Sequence, residues 1–279
     1  MTTSTNIHAT KTLATLSRFV SQNAKQVTLA AWGLLIAIPA IIYLSSSQLF
    51  PSIRLNSLLA EALYWLTSTG TAPYGIITGV LILVVCYRLL NRQQFAKLVL
   101  AVSISMAATL SLNQFLKPYF AEPRPNAILL EQSYLLNTKD FYQKDKLEKR
   151  QILGVAVNQL EIARPDLLLS DAIKGHWQHE VGYAFPSGHT LFAVTLALVV
   201  CFYLLLSGLI AMPLLLVSWA ISMGLSRMLL GMHWPQDVLA STFIGGCIAA
   251  ASIFLAQCLW PRLWQLISPQ RKVQQSNRR

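Results

Sequence analysis

Residues 186–207, PSGHTLFAVTLALVVCFYLLLS, decide the architecture. The run holds no Asp, Glu, Lys or Arg, and about 20 such residues suffice to cross the hydrocarbon core of a bilayer as a helix. Five more mostly apolar windows flank it, at 27–46, 72–90, 95–116, 209–231 and 236–260. With 54% apolar and 12% charged residues in 279, the chain lies outside the soluble range, where charged residues make up roughly a quarter. The expectation is an all-α polytopic membrane protein with six transmembrane helices. Cys86, Cys201, Cys247 and Cys258 fall inside or at the ends of the apolar runs, without CxxC pairing. They read as small buried hydrophobes, against a disulfide framework or a zinc site.

The 26 residues before the first span form a polar amphipathic lead with no small-residue cleavage pattern, so the first span reads as a retained anchor. The third span carries Ser103, Ser105, Thr109, Ser111, Asn113 and Gln114 and is expected to line the bundle interior. Orientation follows from basic residues in short loops, which favour the cytoplasmic side. Lys11, Arg18 and Lys25, then Arg88, Arg92 and Lys97, then Arg262, Arg271, Lys272, Arg278 and Arg279 alternate onto one side, with no acidic residue among them. The remaining eleven basic residues share the other side with all eleven acids. The net charge of +11 is thus a matter of topology. Nucleic-acid binding loses its main support, and both termini are expected in the cytoplasm.

Residues 117–184 separate the third and fourth spans with mixed charge (KDFYQKDKLEKR) and a helix-like stretch, ILGVAVNQLEIA. So long a connection is uncommon unless it has a function. A partly helical cap on the outer face, about 126–180, is expected there. The 52–70 segment, SIRLNSLLAEALYWLTSTG, has apolar residues at helical spacing suited to the outer interface. The organisation expected is a cytoplasmic lead over 1–26, a six-helix membrane domain over 27–260 and a basic cytoplasmic tail over 261–279.

Three polar clusters interrupt or end the spans: KPYFAEPRP (117–125), FPSGHT (185–190) and SRMLLGMHWPQD (226–237). With the termini inside, all three arrive at the outer membrane face. Lys117, Arg124 and Arg227 bring three cations to a partly desolvated place, where each is costly without an anion, and Arg offers the fork geometry that suits phosphate. Pro186 fits the first turn of a helix, which would leave the N–H groups of Ser187, Gly188 and His189 free for an anion. Gly188 allows close approach to the backbone. These features make a predicted phosphate cradle.

Two imidazoles complete it. His233 lies four residues before Asp237, and the Trp234–Pro235 pair marks the start of the sixth span, so the carboxylate can hold one ring nitrogen. The other nitrogen is then a nucleophile or a base. His189 has no partner visible in the sequence and is left as proton donor. Such a set suits phosphate-ester hydrolysis through a covalent intermediate.

At these residues the chain resembles the type 2 phosphatidic acid phosphatase superfamily, whose three-part signature is matched by Lys117, Arg124 and Pro125, by Pro186, Ser187, Gly188 and His189, and by Ser226, Arg227, His233 and Asp237. The resemblance implies that His233 forms a phosphohistidine, Asp237 supports it, His189 protonates the leaving group, and Lys117, Arg124, Ser187, Gly188 and Arg227 bind phosphate. It implies no metal and no cofactor. Within the superfamily, the flanks HWQHEVGYAF and LLGMHWPQD over roughly 30–260 look like bacterial inner-membrane enzymes that act on phosphatidylglycerophosphate, undecaprenyl diphosphate and phosphatidic acid. The site would face the periplasm, with a membrane lipid as substrate, the bilayer as surroundings and no obligate protein partner.

Other readings compete. Two His and one Asp resemble a facial triad for iron, but three neighbouring cations favour an anion. A transporter or flippase of a phosphorylated lipid would also need intramembrane cations, though not His233 four residues from Asp237. His176 and His179 read as structural, Trp177, Tyr183 and Trp234 as interfacial belt residues, and Glu180 as a solvated loop carboxylate, with orientation of the cap or a headgroup as the alternative.

Overall fold

The computed structural model describes residues 14–267, which are helical with no strand. A helical lead ending at residue 22 runs into α1 (Ala24–Leu44). Next come α2 (Leu58–Ser68), α3 (Tyr74–Leu89) and α4 (Arg92–Phe120), then four short helices, α5 (Pro125–Gln132), α6 (Thr138–Gln143), α7 (Lys146–Ala163) and α8 (Asp171–His179). The chain closes with α9 (Gly188–Leu206), α10 (Ala211–Leu229) and α11 (Pro235–Ile267). The six apolar windows coincide with α1, α3, α4, α9, α10 and α11, the last running past its window through Pro261. Much of the predicted amphipathic lead (1–13) and of the basic tail (268–279) lies outside the described residues.

Among the described residues, five helices are long and apolar enough to cross a membrane: α1, α4, α9, α10 and α11. The 72–90 window is a shorter apolar helix, α3, of 16 residues, about 24 Å long at 1.5 Å per residue. The contrast between α3 and α9 shows why both are apolar. α9 is hydrophobic all round and buried along almost its whole length, because α11, α10, α4 and α1 all pack on it. α3 touches α4 and α9 sparsely and turns Ile76, Ile77, Val80, Leu81, Val84 and Val85 outward. Such a contiguous exposed apolar surface suits lipid as its solvent.

The sequence places α4 and two cysteines less well. Ser105 and Thr109 of α4 are buried and Asn113 half-buried, four residues apart on one face, whereas Ser103, Ser111 and Gln114 are exposed. Ser103 donates to the Val99 carbonyl one turn back, at 2.9 Å. A hydroxyl satisfied inside its own helix need not face the bundle interior. Cys86 and Cys201 are buried as expected, but Cys247 and Cys258 are exposed on α11. An apolar run specifies the bilayer and leaves open which side of a helix meets a neighbour.

Residues between α4 and α9 form a second hydrophobic cluster in which Leu130, Phe141, Leu153, Leu160, Ile173 and Trp177 meet Leu55 and Ala60 of the α2 region and Leu230 and Met232 of the α10–α11 turn. Local signals begin these helices: Asp145 and Glu148 close a capping box on α7, and Ser170 caps α8. Trp177 donates through Nε1 to the Leu230 carbonyl at 2.9 Å, and Asn126 N–H to that of Gly231 at 2.9 Å. Those bonds fasten the insert to the turn that carries His233. Gly231 holds φ +72 there with the Phe50 ring against it, a backbone conformation costing an L side chain about 1–2 kcal/mol.

Candidate functional site

Four local devices bring the predicted residues to one end of the bundle. α4 ends with Ala121 in the left-handed region (φ 47), and after this turn Pro125 opens α5 with Arg124 as its N-cap. Ser187 caps α9, accepting from the Thr190 N–H, so His189 is the second helical residue. Arg227 sits in the last turn of α10. His233 occupies the α10–α11 turn, and Asp237 lies in the first turn of α11. Lys117, Arg124, Glu180, Gly188, His189 and His233 line one cavity of about 530 Å³. The cavity continues between Ile76, Val80, Leu83, Val102, Met106 and Leu110 of α3 and α4, so its polar end opens onto an apolar groove.

Two of the three cations meet on one carboxylate. Glu180 Oε2 accepts from Arg124 Nη1 at 2.9 Å and from Arg227 Nη2 at 2.5 Å. Arg124 Nε also donates to the Gly182 carbonyl at 2.7 Å, and Lys117 Nζ to that of Tyr183 at 2.9 Å. Fully buried Arg227 uses Nη1 on Thr67 Oγ1 at 2.7 Å and His176 Nε2 at 3.0 Å. Burial alone would raise the Glu180 pKa, but Arg227, then His189, His176 and Arg124 outweigh it and hold the carboxyl well below the usual range. The reading of Glu180 as a solvated loop carboxylate is therefore corrected: its side chain is 15% exposed and joins both arginines. Nothing in the local sequence foretells this, because its partners lie 56 and 47 positions away.

His233 Nδ1 stands 3.4 Å from Asp237 Oδ2, which accepts the Trp234 N–H at 2.8 Å. Asp237 thus faces Nδ1 of the imidazole from the first turn of α11. Burial, followed by the charges of Arg124, Arg227 and Lys117, keeps the His233 pKa well below its usual value, so the ring is neutral and has a lone pair to use. His189 Nε2 meets Thr71 Oγ1 at 2.6 Å and Glu180 Oε1 at 3.5 Å. Several buried side-chain atoms without a protein hydrogen-bond partner cluster here, among them Arg227 Nε, His233 Nδ1, Asp237 Oδ1 and Glu180 Oε1. Unmet polar atoms concentrated in one place mark a site arranged for something other than stability.

Two expectations about the cradle need refinement. Helix α9 starts at Gly188 and not at Pro186, and the Ser187 N–H donates to Ser241 Oγ at 2.8 Å, so this donor is already used. A Cβ on Gly188 would lie 2.9 Å from Asn113 Nδ2, so the glycine makes room for that side chain of α4. Sequence reasoning also missed Thr67 and Thr71, which belong to none of the three clusters, and it read as merely structural His176, which touches Arg227. Trp234 donates to the Pro123 carbonyl at 2.9 Å, tying the first cluster to the third. Among the described residues no group of three or more His, Cys, Asp or Glu is placed to hold a metal ion.

This bundle, with histidines and cations at one end of an apolar groove, is the arrangement expected of an enzyme for phosphorylated lipids. Residues 98–261 match the PAP2 superfamily, and the chain belongs to that superfamily. It is 31% identical over 229 residues to phosphatidylglycerophosphatase B of Escherichia coli, covering 81% of this chain and 86% of that protein. It is 36% identical over 202 residues to phosphatidylglycerophosphatase B of Haemophilus influenzae, covering 69% and 81%. A shorter match, 35% over 91 residues, covers 31% of this chain and 42% of the putative undecaprenyl-diphosphatase YbjG of Escherichia coli. The family and these relatives support a lipid phosphatase.

Proposed function

We propose that this protein is an integral membrane phosphatase that releases the terminal phosphate of lipids of the phosphatidylglycerophosphate, undecaprenyl diphosphate and phosphatidic acid class. The observation that carries this reading is the continuity of the cavity, which joins two histidines and two cations to an apolar groove between α3 and α4. The headgroup enters the polar end and the acyl or prenyl chain lies in the groove. Lys117, Arg124 and Arg227 hold the phosphoryl oxygens, with Ser187 and Gly188 forming the helix start behind them. The arriving phosphate competes with Glu180 for both guanidinium groups.

His233 Nε2 attacks phosphorus, the bond to the leaving oxygen breaks, and His189 supplies that oxygen with a proton. Asp237 stabilises the charge that develops on the His233 ring. Water then attacks the phosphohistidine, giving up its proton to His189 as phosphate leaves and His233 is restored. Anion stabilisation comes from fixed guanidinium and ammonium groups, and no metal takes part. The protein crosses the bacterial inner membrane six times, with α3 as the shortest span. Its insert caps the outer face, both termini are cytoplasmic and the site faces the periplasm, as the basic loops favour.

Purified protein in detergent should release phosphate from these lipids, tolerate a chelator and be blocked by vanadate. Absence of release in detergent, with lipid translocation in sealed vesicles, would replace the phosphatase by a transporter. For orientation, an impermeant thiol reagent should label Asp145→Cys in intact spheroplasts. Labelling that required membrane disruption would invert the topology without touching the chemistry.

A further inference from the structure

The stretch Thr67–Thr71, at the end of α2 and in the turn after it, belongs to none of the three signature clusters. Even so, its side chains reach the proposed machinery at two points. Thr71 Oγ1 lies 2.6 Å from His189 Nε2, across 118 positions of sequence. The other neighbour of that nitrogen, Glu180 Oε1, stands at 3.5 Å, so the hydroxyl is the nearer partner. Gly70 presents bare backbone to the ring edge: a Cβ there would be 3.1 Å from His189 Cδ2. Thr67, fully buried, accepts from Arg227 Nη1 at 2.7 Å. Thr69 accepts from Trp219 Nε1 at 2.9 Å, which pins the turn to α10.

We propose that residues 67–71 form a fourth wall of the active site, in which Thr71 is the positioning residue for His189 and Thr67 that for Arg227. The proposal rests on the reading of His189 as proton donor. As a proton donor His189 acts in its imidazolium form, in which both ring nitrogens carry N–H, and the ring is held in place by whatever acceptors those groups find. At His233 the partner is a carboxylate, which strengthens the ring as a nucleophile. At His189 a hydroxyl is the better choice. It fixes the ring but competes only weakly for the proton, which can then pass to the leaving oxygen. Gly70 lets the turn come close enough for this bond, and Thr67 aligns one arginine from the same segment.

The test is a mutant cycle. Thr71→Val keeps the shape and removes the hydroxyl, whereas Thr71→Ser keeps the hydroxyl. With phosphatidic acid, Thr71→Val should lower kcat about tenfold, as expected for one lost hydrogen bond to a reacting group, with KM little changed. Its ratio of lipid to aryl phosphate turnover should fall by a similar factor, because an aryl leaving group needs less protonation. Thr71→Ser should restore both. In the His189→Ala background Thr71→Val should have no further effect.

Wild-type kcat on phosphatidic acid in Thr71→Val, or full additivity with His189→Ala, would overturn the proposal. If His189→Ala instead depressed lipid and aryl turnover equally, the proton-donor reading would fall. Non-additivity with Thr71 would still report the positioning contact. Melting in detergent separates a folding defect from a positioning one, and should Thr71→Val not fold, Thr71→Ala takes its place in the same cycle.

Discussion

The two histidine ends of the cavity are built in opposite ways. At one end, His233 and Asp237 are four residues apart, and the turn before α11 brings their side chains to 3.4 Å. At the other, His189 meets Thr71 from the turn after α2 and Glu180 from the end of the insert. One end is a local motif that short-range geometry nearly completes. The other exists only after α2, the insert and α9 have packed together. Residues proposed to share a chemical step can therefore differ in how far their support is spread along the chain, and with it in how a distant substitution affects them.

The largest expected effect would break the comparison at its local end. His233→Ala removes the proposed nucleophile and should lower phosphate release on the order of 10⁶-fold with lipid and aryl substrates alike, the scale seen when a covalent nucleophile is deleted. Trapping of a phosphoenzyme in that variant and its loss in His189→Ala would exchange the two roles. Next, His189→Ala should lose roughly 10²–10⁴-fold on a lipid phosphate, the usual worth of a general acid, and much less on an aryl phosphate. Equal losses on both would remove the chemical distinction between the two ends.

Smaller effects sharpen the role of the shared clamp. Arg124→Lys and Arg227→Lys keep the charge but lose the fork, and each should cost about 10²-fold in kcat, as when one preorganised donor is withdrawn from developing charge. Near-normal turnover in both, measured by phosphate release, would show that the arginines serve Glu180 and not the substrate. The smallest effect concerns stability. Burial first, with Arg227 also opposing protonation and Glu180 favouring it, brings the His176 pKa down from 6.5 to about 4. The unfolded chain takes up this proton before the folded one does. The contribution is therefore fully present above pH 6.5 and is lost as pH falls from 6.5 towards 4. Melting temperatures in detergent should decline across that window, and His176→Gln should flatten the decline. An unchanged slope would mean that another group governs it.

Much of the candidate site was legible because its signals are short-range. Lys117 and Arg124 flank one helix end, Ser187 caps the helix that carries His189, and His233 precedes Asp237 by one helical turn. Each of these needs only local geometry and residue type, and the basic loops are enough to suggest that the three clusters meet. Glu180, Thr67 and Thr71 were not legible. Their types are ordinary for a loop and a helix end, and their significance comes from partners 47 to 160 positions away.

The sequence by itself determined the all-helical class, because long runs without charge must satisfy their backbone hydrogen bonds internally once in lipid. It also singled out the clusters that supply both histidines of the cavity. The tertiary structure alone decided which apolar helix became the buried centre, α9, and which, α3, turned most of its surface outward. It also decided that one carboxylate gathers both arginines and that a threonine holds a histidine. Hydropathy measures the cost of leaving water and carries no direction around the helix axis. The partners of a buried charge are settled only when the helices pack and the remaining donors and acceptors must be matched.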